Sequence, residues 1–148
     1  MDNTPLRILL ADDDESDQFL FKEVLGELKI KTIVHTVNDG VYLMEYLSQK
    51  DIPLPHLLFL DLNMPRKNGM DCLKEIRNSE DLNNISIVIY STSASEKDIE
   101  EAFLNGANVY LKKPNEFRLL KQVLNKVVIT AFQFQYPPFD RAIFLMQI

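Results

Sequence analysis

The chain of 148 residues has one cysteine, four glycines, two histidines and no tryptophan. A lone cysteine forbids an intrachain disulfide and a cysteine-based metal site, so Cys72 reads as a buried, inert thiol. His35 and His56 lack a partner at ligand spacing and read as structural residues. Positive charge is also short: 16 Lys and Arg against 22 Asp and Glu leave a net −6. That balance argues against direct nucleic-acid binding, because phosphates need a cationic surface. No apolar run reaches the roughly 20 residues that cross a bilayer, and Met1-Asp2-Asn3-Thr4-Pro5 has neither the positive charge nor the apolar core of a signal peptide. The expectation is a cytoplasmic protein without membrane contact, folded as one domain with a sizeable core.

What is present is organised around His56-Leu57-Leu58-Phe59-Leu60-Asp61-Leu62-Asn63-Met64-Pro65. Leu57–Leu60 is a short unbroken apolar run bounded by Pro55 and Pro65, which predicts a strand buried on both faces. Asp61 sits at its carboxyl end, where a local turn role competes with a functional one. Leu6–Ala11 repeats the pattern and ends in Asp12-Asp13-Asp14-Glu15. A helix follows, with Ser16 or Asp17 as its cap and Phe21, Leu25 and Leu28 on its inner face. Thr32–Val37 is the next strand, closed by Asn38-Asp39-Gly40, and Val41, Met44 and Leu47 face the core from the second helix. After Gly69, Met70, Leu73 and Ile76 mark a third helix. Residues 85–90 form a fourth strand running into Ser91-Thr92-Ser93. Ser95 and Glu96 open a helix carrying Ile99, Ala102 and Phe103 inward, stopped by Asn105-Gly106. Residues 109–111 form a short strand ending in Lys112-Lys113-Pro114, and a last helix over 116–131 buries Phe117, Leu120, Val123, Leu124 and Val127.

Strand and helix alternate about five times, which predicts an α/β fold with a doubly wound five-stranded parallel sheet and helices on both faces. Right-handed crossovers bring every strand's carboxyl end to one edge. That edge collects Asp12, Asp13, Asp61, Ser91, Thr92 and Lys113. Carboxylates gathered there repel unless a cation sits among them, and oxygen-only ligands suit Mg2+. A carboxylate beside the metal can attack a phosphoryl group and become an acyl phosphate. Lys113, a Ser91 or Thr92 hydroxyl and the metal would then hold the new charge.

Leu9-Leu10-Ala11-Asp12-Asp13, Leu60-Asp61-Leu62-Asn63-Met64-Pro65 with Gly69, a hydroxyl after the fourth strand, and Lys113-Pro114 together closely resemble the receiver domain of two-component response regulators. The resemblance spans about residues 6–131 and implies the flavodoxin-like, CheY-like fold. It implies Asp61 as phosphoacceptor, loaded by a histidine kinase or phosphotransfer protein. It makes Asp13 a direct metal ligand, Asp12 an acidic partner acting through water, Asn63 a ligand through its backbone carbonyl, and Lys113 the partner of the phosphoryl group. Family spacing puts the switch hydroxyl on Ser91, leaving Thr92 at a small-residue position. Tyr110 matches the switch aromatic, whose ring moves inward when the hydroxyl is drawn to the phosphoryl group. Asn63 and Ser93 stand where side chains tune the attacking water. Arg66 and Lys67 suit either steering of a phosphorylated partner or plain solvated loop charge, and Asp14, Glu15 and Asp17 read as solvated charges matching the helix dipole.

The receiver is expected over 1–131, followed by a tail over 132–148 in place of an output domain, so the output is expected to be another protein. A stand-alone receiver signals through a changed surface, usually the one built from its fourth helix, fifth strand and fifth helix, here about 95–131. Phe132, Phe134 and Tyr136 alternate with glutamine as in a strand, ahead of Pro137-Pro138. Such an apolar tail suits packing on the domain, a homodimer, or partner docking; the homodimer could equally use the fourth-to-fifth-helix face. Two rival readings stand beside the regulator. A haloacid dehalogenase-type phosphatase needs a second aspartate where Asn63 stands, and an unphosphorylated binding module would not need Asp12, Asp13, Asp61 and Lys113 together.

Overall fold

The computed structural model describes residues 4–133 and 145–146. Strands β1 (Leu6–Ala11), β2 (Thr32–Val37), β3 (Leu57–Leu60), β4 (Ser86–Ser91) and β5 (Val109–Lys112) alternate with helices α1 (Glu15–Gly26), α2 (Gly40–Leu47), α3 (Gly69–Arg77), α4 (Glu96–Leu104) and α5 (Phe117–Gln133). The expected doubly wound parallel sheet is present. The described residues add a short β6 (Leu145–Met146), parallel to β5 with Tyr110 opposite Leu145, giving the order β2-β1-β3-β4-β5-β6. β1 lies between β2 and β3, so the winding reverses there and opens a crevice at the carboxyl edge.

The unbroken apolar runs form strands because both faces of this sheet are covered, and successive residues feed opposite cores. Leu9, Ala11, Leu58, Leu60, Ile87, Ile89 and Tyr110 pack on the α2–α4 side with Leu43, Leu73, Ile76 and Ala102. Ile8, Leu10, Leu57, Phe59, Val88, Tyr90, Val109 and Leu111 pack on the other side with Phe21, Val24, Leu120, Leu124 and Val127. Phe59 is met edge-on by Phe21 at 4.9 Å between centroids, a favoured aromatic geometry.

Side-chain oxygens start the helices. Asp39, Asn68 and Ser95 accept from the N–H of Tyr42, Asp71 and Asp98. At α1 the cap is Asp14, which accepts from Asp17 N at 3.0 Å, and neither Ser16 nor Asp17 serves. Asp14 is the last extended residue before the helix, with φ −92° and ψ 114°, and so alone has cap geometry. The buried faces of two helices are also rotated from expectation. In α2, Leu43 and Leu47 are buried while Val41 and Met44 are half-buried; in α3, Cys72 joins Leu73 and Ile76 and Met70 is half-buried. Phe117, expected in the core, is exposed at the first residue of α5. That helix runs two residues past Ala131, so Phe132 is helical where a strand was expected. The expected alternation at Phe134 and Tyr136 lies outside the described residues.

Candidate functional site

The parallel register assembles the site. Ala11 pairs with Leu60, and Asp61 N donates to Ala11 O at 3.0 Å, so the residues that follow β1 and β3, Asp12 and Asp61, emerge side by side. Ser91 pairs with Lys112, and Lys113 N donates to Ser91 O at 2.8 Å, which brings the lysine to the same edge. Carboxylate oxygens of Asp12, Asp13 and Asp61 lie within 4.8 Å of one another. Asp12 and Asp61 are buried and Asp13 is exposed.

Lys113 Nζ stands among three carboxylates: 2.7 Å from Asp12 Oδ2, 2.8 Å from Asp17 Oδ2 and 3.1 Å from Asp61 Oδ2. It also lies 5.3 Å from the centre of the Tyr90 ring. Burial works against the ammonium, but the adjoining carboxylates of Asp12, Asp17 and Asp61 outweigh it and hold its pKa above the ordinary lysine value. Asp12 is the opposite case. Burial pushes its carboxyl up to about 6 against the pull of Lys113 and the Asp14 N–H, with the Asp61 charge adding to the rise. Its Oδ2, although beside the ammonium, is buried with no donor aligned on it.

These donors fit a hard divalent cation: three carboxylates, no sulfur or imidazole, and a buried oxygen with a lone pair to give. Asp12, Asp13 and Asp61 form a candidate divalent-metal site.

The loop after Asp61 is tightly held. Asn63 N–H donates to Asp61 Oδ1 at 3.1 Å, orienting the carboxylate, and the Asn63 side chain is exposed. Gly69 N–H donates to Leu62 O at 3.0 Å, and a Cβ on Gly69 would lie 2.1 Å from Asp61 O. Only glycine allows that approach. Arg66 takes a positive φ of 68° and its guanidinium is 3.7 Å from Asp39, while Lys67 pairs with Glu75. The two loop cations thus have local partners.

Of the two hydroxyls, Ser91 is buried and Thr92 exposed. Ser91 Oγ accepts from Ser93 N at 3.2 Å. Ser93 Oγ donates to Asp98 Oδ2 at 2.6 Å, and Tyr110 Oη donates to Ser93 O at 2.7 Å. Tyr110 is fully buried, with the ring already inward; burial and the Asp98 charge raise its phenol to about 12. The edge therefore continues from Ser91 through Ser93 into the first turn of α4 and onto β5. Cys72 is the expected inert thiol, buried with its pKa raised to about 11 by burial. His56 Nδ1 accepts from Arg7 N at 2.9 Å, a structural contact.

Asp17 is the residue that the sequence reading missed as part of the site. It lies in the first turn of α1, and because α1 starts directly beyond β1 that turn stands over the same edge. An acid three residues past a cap, after a strand that delivers acids, is the signal that was available.

A parallel α/β sheet with three acids and a lysine at its switch-point edge defines a phosphoryl-handling class of protein. The family model described as the response regulator receiver domain matches residues 8–125, and the chain belongs to that family. Response regulator Rcp1 of Synechocystis sp. is 37% identical over 126 residues, covering 82% of this chain and 86% of Rcp1. Chemotaxis protein CheY-3 of Vibrio cholerae is 30% identical over 125 residues, 84% of this chain and 93% of that protein. The phosphorylated cyanobacterial phytochrome response regulator RcpA superposes with a TM-score of 0.79 at 33% identity, covering 84% of this chain and 91% of RcpA. A Mn(2+)-bound form of Rcp1 gives 0.78 at 32%, covering 90% and 97%. The protein is a two-component response regulator receiver, a regulatory rather than a catalytic family, and neither rival reading draws support. Among the described residues no helix is long and apolar enough to cross a membrane.

Proposed function

We propose that Asp61 accepts a phosphoryl group from the phosphohistidine of a histidine kinase or phosphotransfer protein. In this reaction an Asp61 carboxylate oxygen forms the bond to phosphorus as the phosphorus–nitrogen bond of the donor breaks. The electron pair stays on the imidazole nitrogen, which is left neutral by taking up a proton. The observation that carries this reading is the placement of the buried Asp61 carboxylate within 3.1 Å of Lys113 Nζ and beside Asp12 and Asp13. An ammonium and an acid cluster flanking one carboxylate prepare it for an anion and a cation at once.

Asp13 and Asp61, with Asn63 through its backbone carbonyl and Asp12 through water, would hold Mg2+, which when bound supplies charge neutralisation for the incoming phosphoryl group. Lys113 takes one phosphoryl oxygen and the buried Ser91 hydroxyl is the switch donor, with exposed Thr92 beside the site. Movement of Ser91 would release Ser93 N and so act on Tyr110 and α4. The domain thus assists its own phosphorylation and dephosphorylation without turning over a separate substrate. Residues 1–131 are the receiver unit and 132–148 a tail that packs on the domain or on a second subunit; output is through another protein in the cytoplasm that reads the α4–β5–α5 face, and a homodimer through that face or the tail is the self-association this surface suits. RcpA is a phytochrome regulator, so a phytochrome-type histidine kinase is the first donor class to offer.

The test is the intact mass of wild type and Asp61→Asn after incubation with acetyl phosphate, with and without Mg2+. A gain of one phosphoryl group in wild type alone, and only with Mg2+, is expected. No gain here and none from a phosphohistidine donor would leave the binding-module reading in its place.

A further inference from the structure

We infer that Asp17 is a positioning residue that competes with the phosphoryl group for Lys113. An ammonium has three N–H donors, and three carboxylate oxygens, on Asp12, Asp17 and Asp61, already stand within 3.1 Å of Lys113 Nζ. Two of the donors are hydrogen-bonded, to Asp17 and Asp61, and the unaligned Asp12 Oδ2 at 2.7 Å crowds the remaining side, so no open side of the ammonium is left for a phosphoryl oxygen. When one arrives, a present contact has to be given up, and burial decides which. The Asp12 side chain is fully buried and that of Asp61 is 8% exposed, so neither carboxylate can exchange the ammonium for water cheaply. Asp17 has 34% of its side chain in solvent and sits in the first turn of α1, where the helix dipole favours a free carboxylate. Asp17 is the partner that lets go. It also places a fourth negative charge where a phosphorylated donor must approach, so it acts against phosphorylation on both counts.

This inference rests on Asp61 being the acceptor. The experiment compares the rate of phosphoryl gain from acetyl phosphate at saturating Mg2+, followed by intact mass, in wild type, Asp17→Asn and Asp17→Glu. Loss of one half-exposed charge-assisted contact predicts that Asp17→Asn is phosphorylated about fivefold faster. Asp17→Glu restores the carboxylate and is expected to return to the wild-type rate. Equal rates in wild type and Asp17→Asn overturn the inference while leaving Asp61 as the acceptor. An equal acceleration by Asp17→Glu also overturns it, since packing and not charge would then set the rate. If no protein gains mass from acetyl phosphate or from a phosphohistidine donor, the acceptor reading fails and this inference fails with it. Asp17 keeps 34% of its side chain in solvent, so a urea midpoint for Asp17→Asn close to wild type is expected, and a collapse of the fold in that variant would contradict the exchangeable role.

Discussion

The two ends of the sheet each hold a long cation, and they satisfy it in opposite ways. At the carboxyl end Lys113 is surrounded by carboxylates. At the amino end Arg77 donates to neutral acceptors: Gly106 O, Asn83 O, Ile85 O and Asn108 Oδ1, at 2.8–2.9 Å. Its stem packs beside Gly106, whose φ of 95° suits glycine, and Asn108 in turn accepts from Ile87 N. Burial lowers the Arg77 pKa without removing its charge, whereas the acids around Lys113 raise that lysine's. Arg77 ties α3 to the starts of β4 and β5 by fixed geometry. Lys113 is held by charges that repel each other and that an incoming phosphoryl group and a metal can rearrange. Stability is concentrated at one end and exchangeable charge at the other.

The largest expected effect comes from breaking the fixed end. Arg77→Met removes four charge-assisted hydrogen bonds and strands their acceptors, some of which water can reach, so unfolding free energy should fall by about 3 kcal/mol. Urea denaturation measures the loss, and phosphoryl gain from acetyl phosphate should be unchanged in the folded fraction. A matching loss of phosphorylation would mean the two ends are not separable.

The opposite sign is expected at the exchangeable end. Asp12 titrates near 6 in the fold and near 3.8 when unfolded, so the native state binds the proton more tightly between those values. Stability contributed this way is full below about 4 and is lost as pH rises through 6. Asp12→Asn should therefore be more stable than wild type at pH 7, by about 2 kcal/mol after allowance for the lost Lys113 contact. The gain should vanish as pH falls to about 4. Saturating Mg2+ should stabilise wild type at pH 7 and close much of the gap, since bound cation replaces the missing compensation. Urea midpoints across pH 4–7, with and without Mg2+, give all three results, and a destabilised Asp12→Asn would show that the pair with Lys113 outweighs burial.

This asymmetry was only half legible in the sequence. The strands were, because a parallel sheet buried on both faces writes each strand as an unbroken apolar run, as in Leu57–Leu60, and such runs cannot hide. The acids, Ser91 and Lys113 were legible as neighbours at one sheet edge because they end those runs. The helices were harder. Ser16 or Asp17 was the expected cap of α1, and only the extended backbone at Asp14 shows that this residue caps it instead. That choice freed Asp17 for Lys113, 96 positions away, a contact that no local pattern encodes. Phe117 has helical spacing with Leu120 and Leu124, yet its place at the first residue of α5 leaves it overhanging the core. At Phe132 the alternation pattern lost to continuation of a formed helix, where each added residue gains a hydrogen bond. Arg77 gave no signal, because its partners are mostly backbone carbonyls.

The smallest effect tests whether the exchangeable end reaches beyond its charges. Tyr110→Phe keeps the buried ring and deletes only the hydroxyl that donates to Ser93 O at 2.7 Å. The stability cost should be about 1 kcal/mol, the net worth of one hydrogen bond. The informative quantity is its dependence on phosphorylation. Ser93 N binds Ser91 Oγ and Ser93 Oγ binds Asp98, so Ser93 is held by Tyr110, Ser91 and α4 together. If Ser91 turns to the phosphoryl group, that holding weakens, and the cost of Tyr110→Phe should shrink in the acetyl phosphate-treated, Mg2+-loaded protein. Urea midpoints of both proteins in both states form a double-mutant cycle. A cost of Tyr110→Phe that is equal in the two states would confine the response to the carboxylates and Lys113, and would cut the α4 face out of the signal.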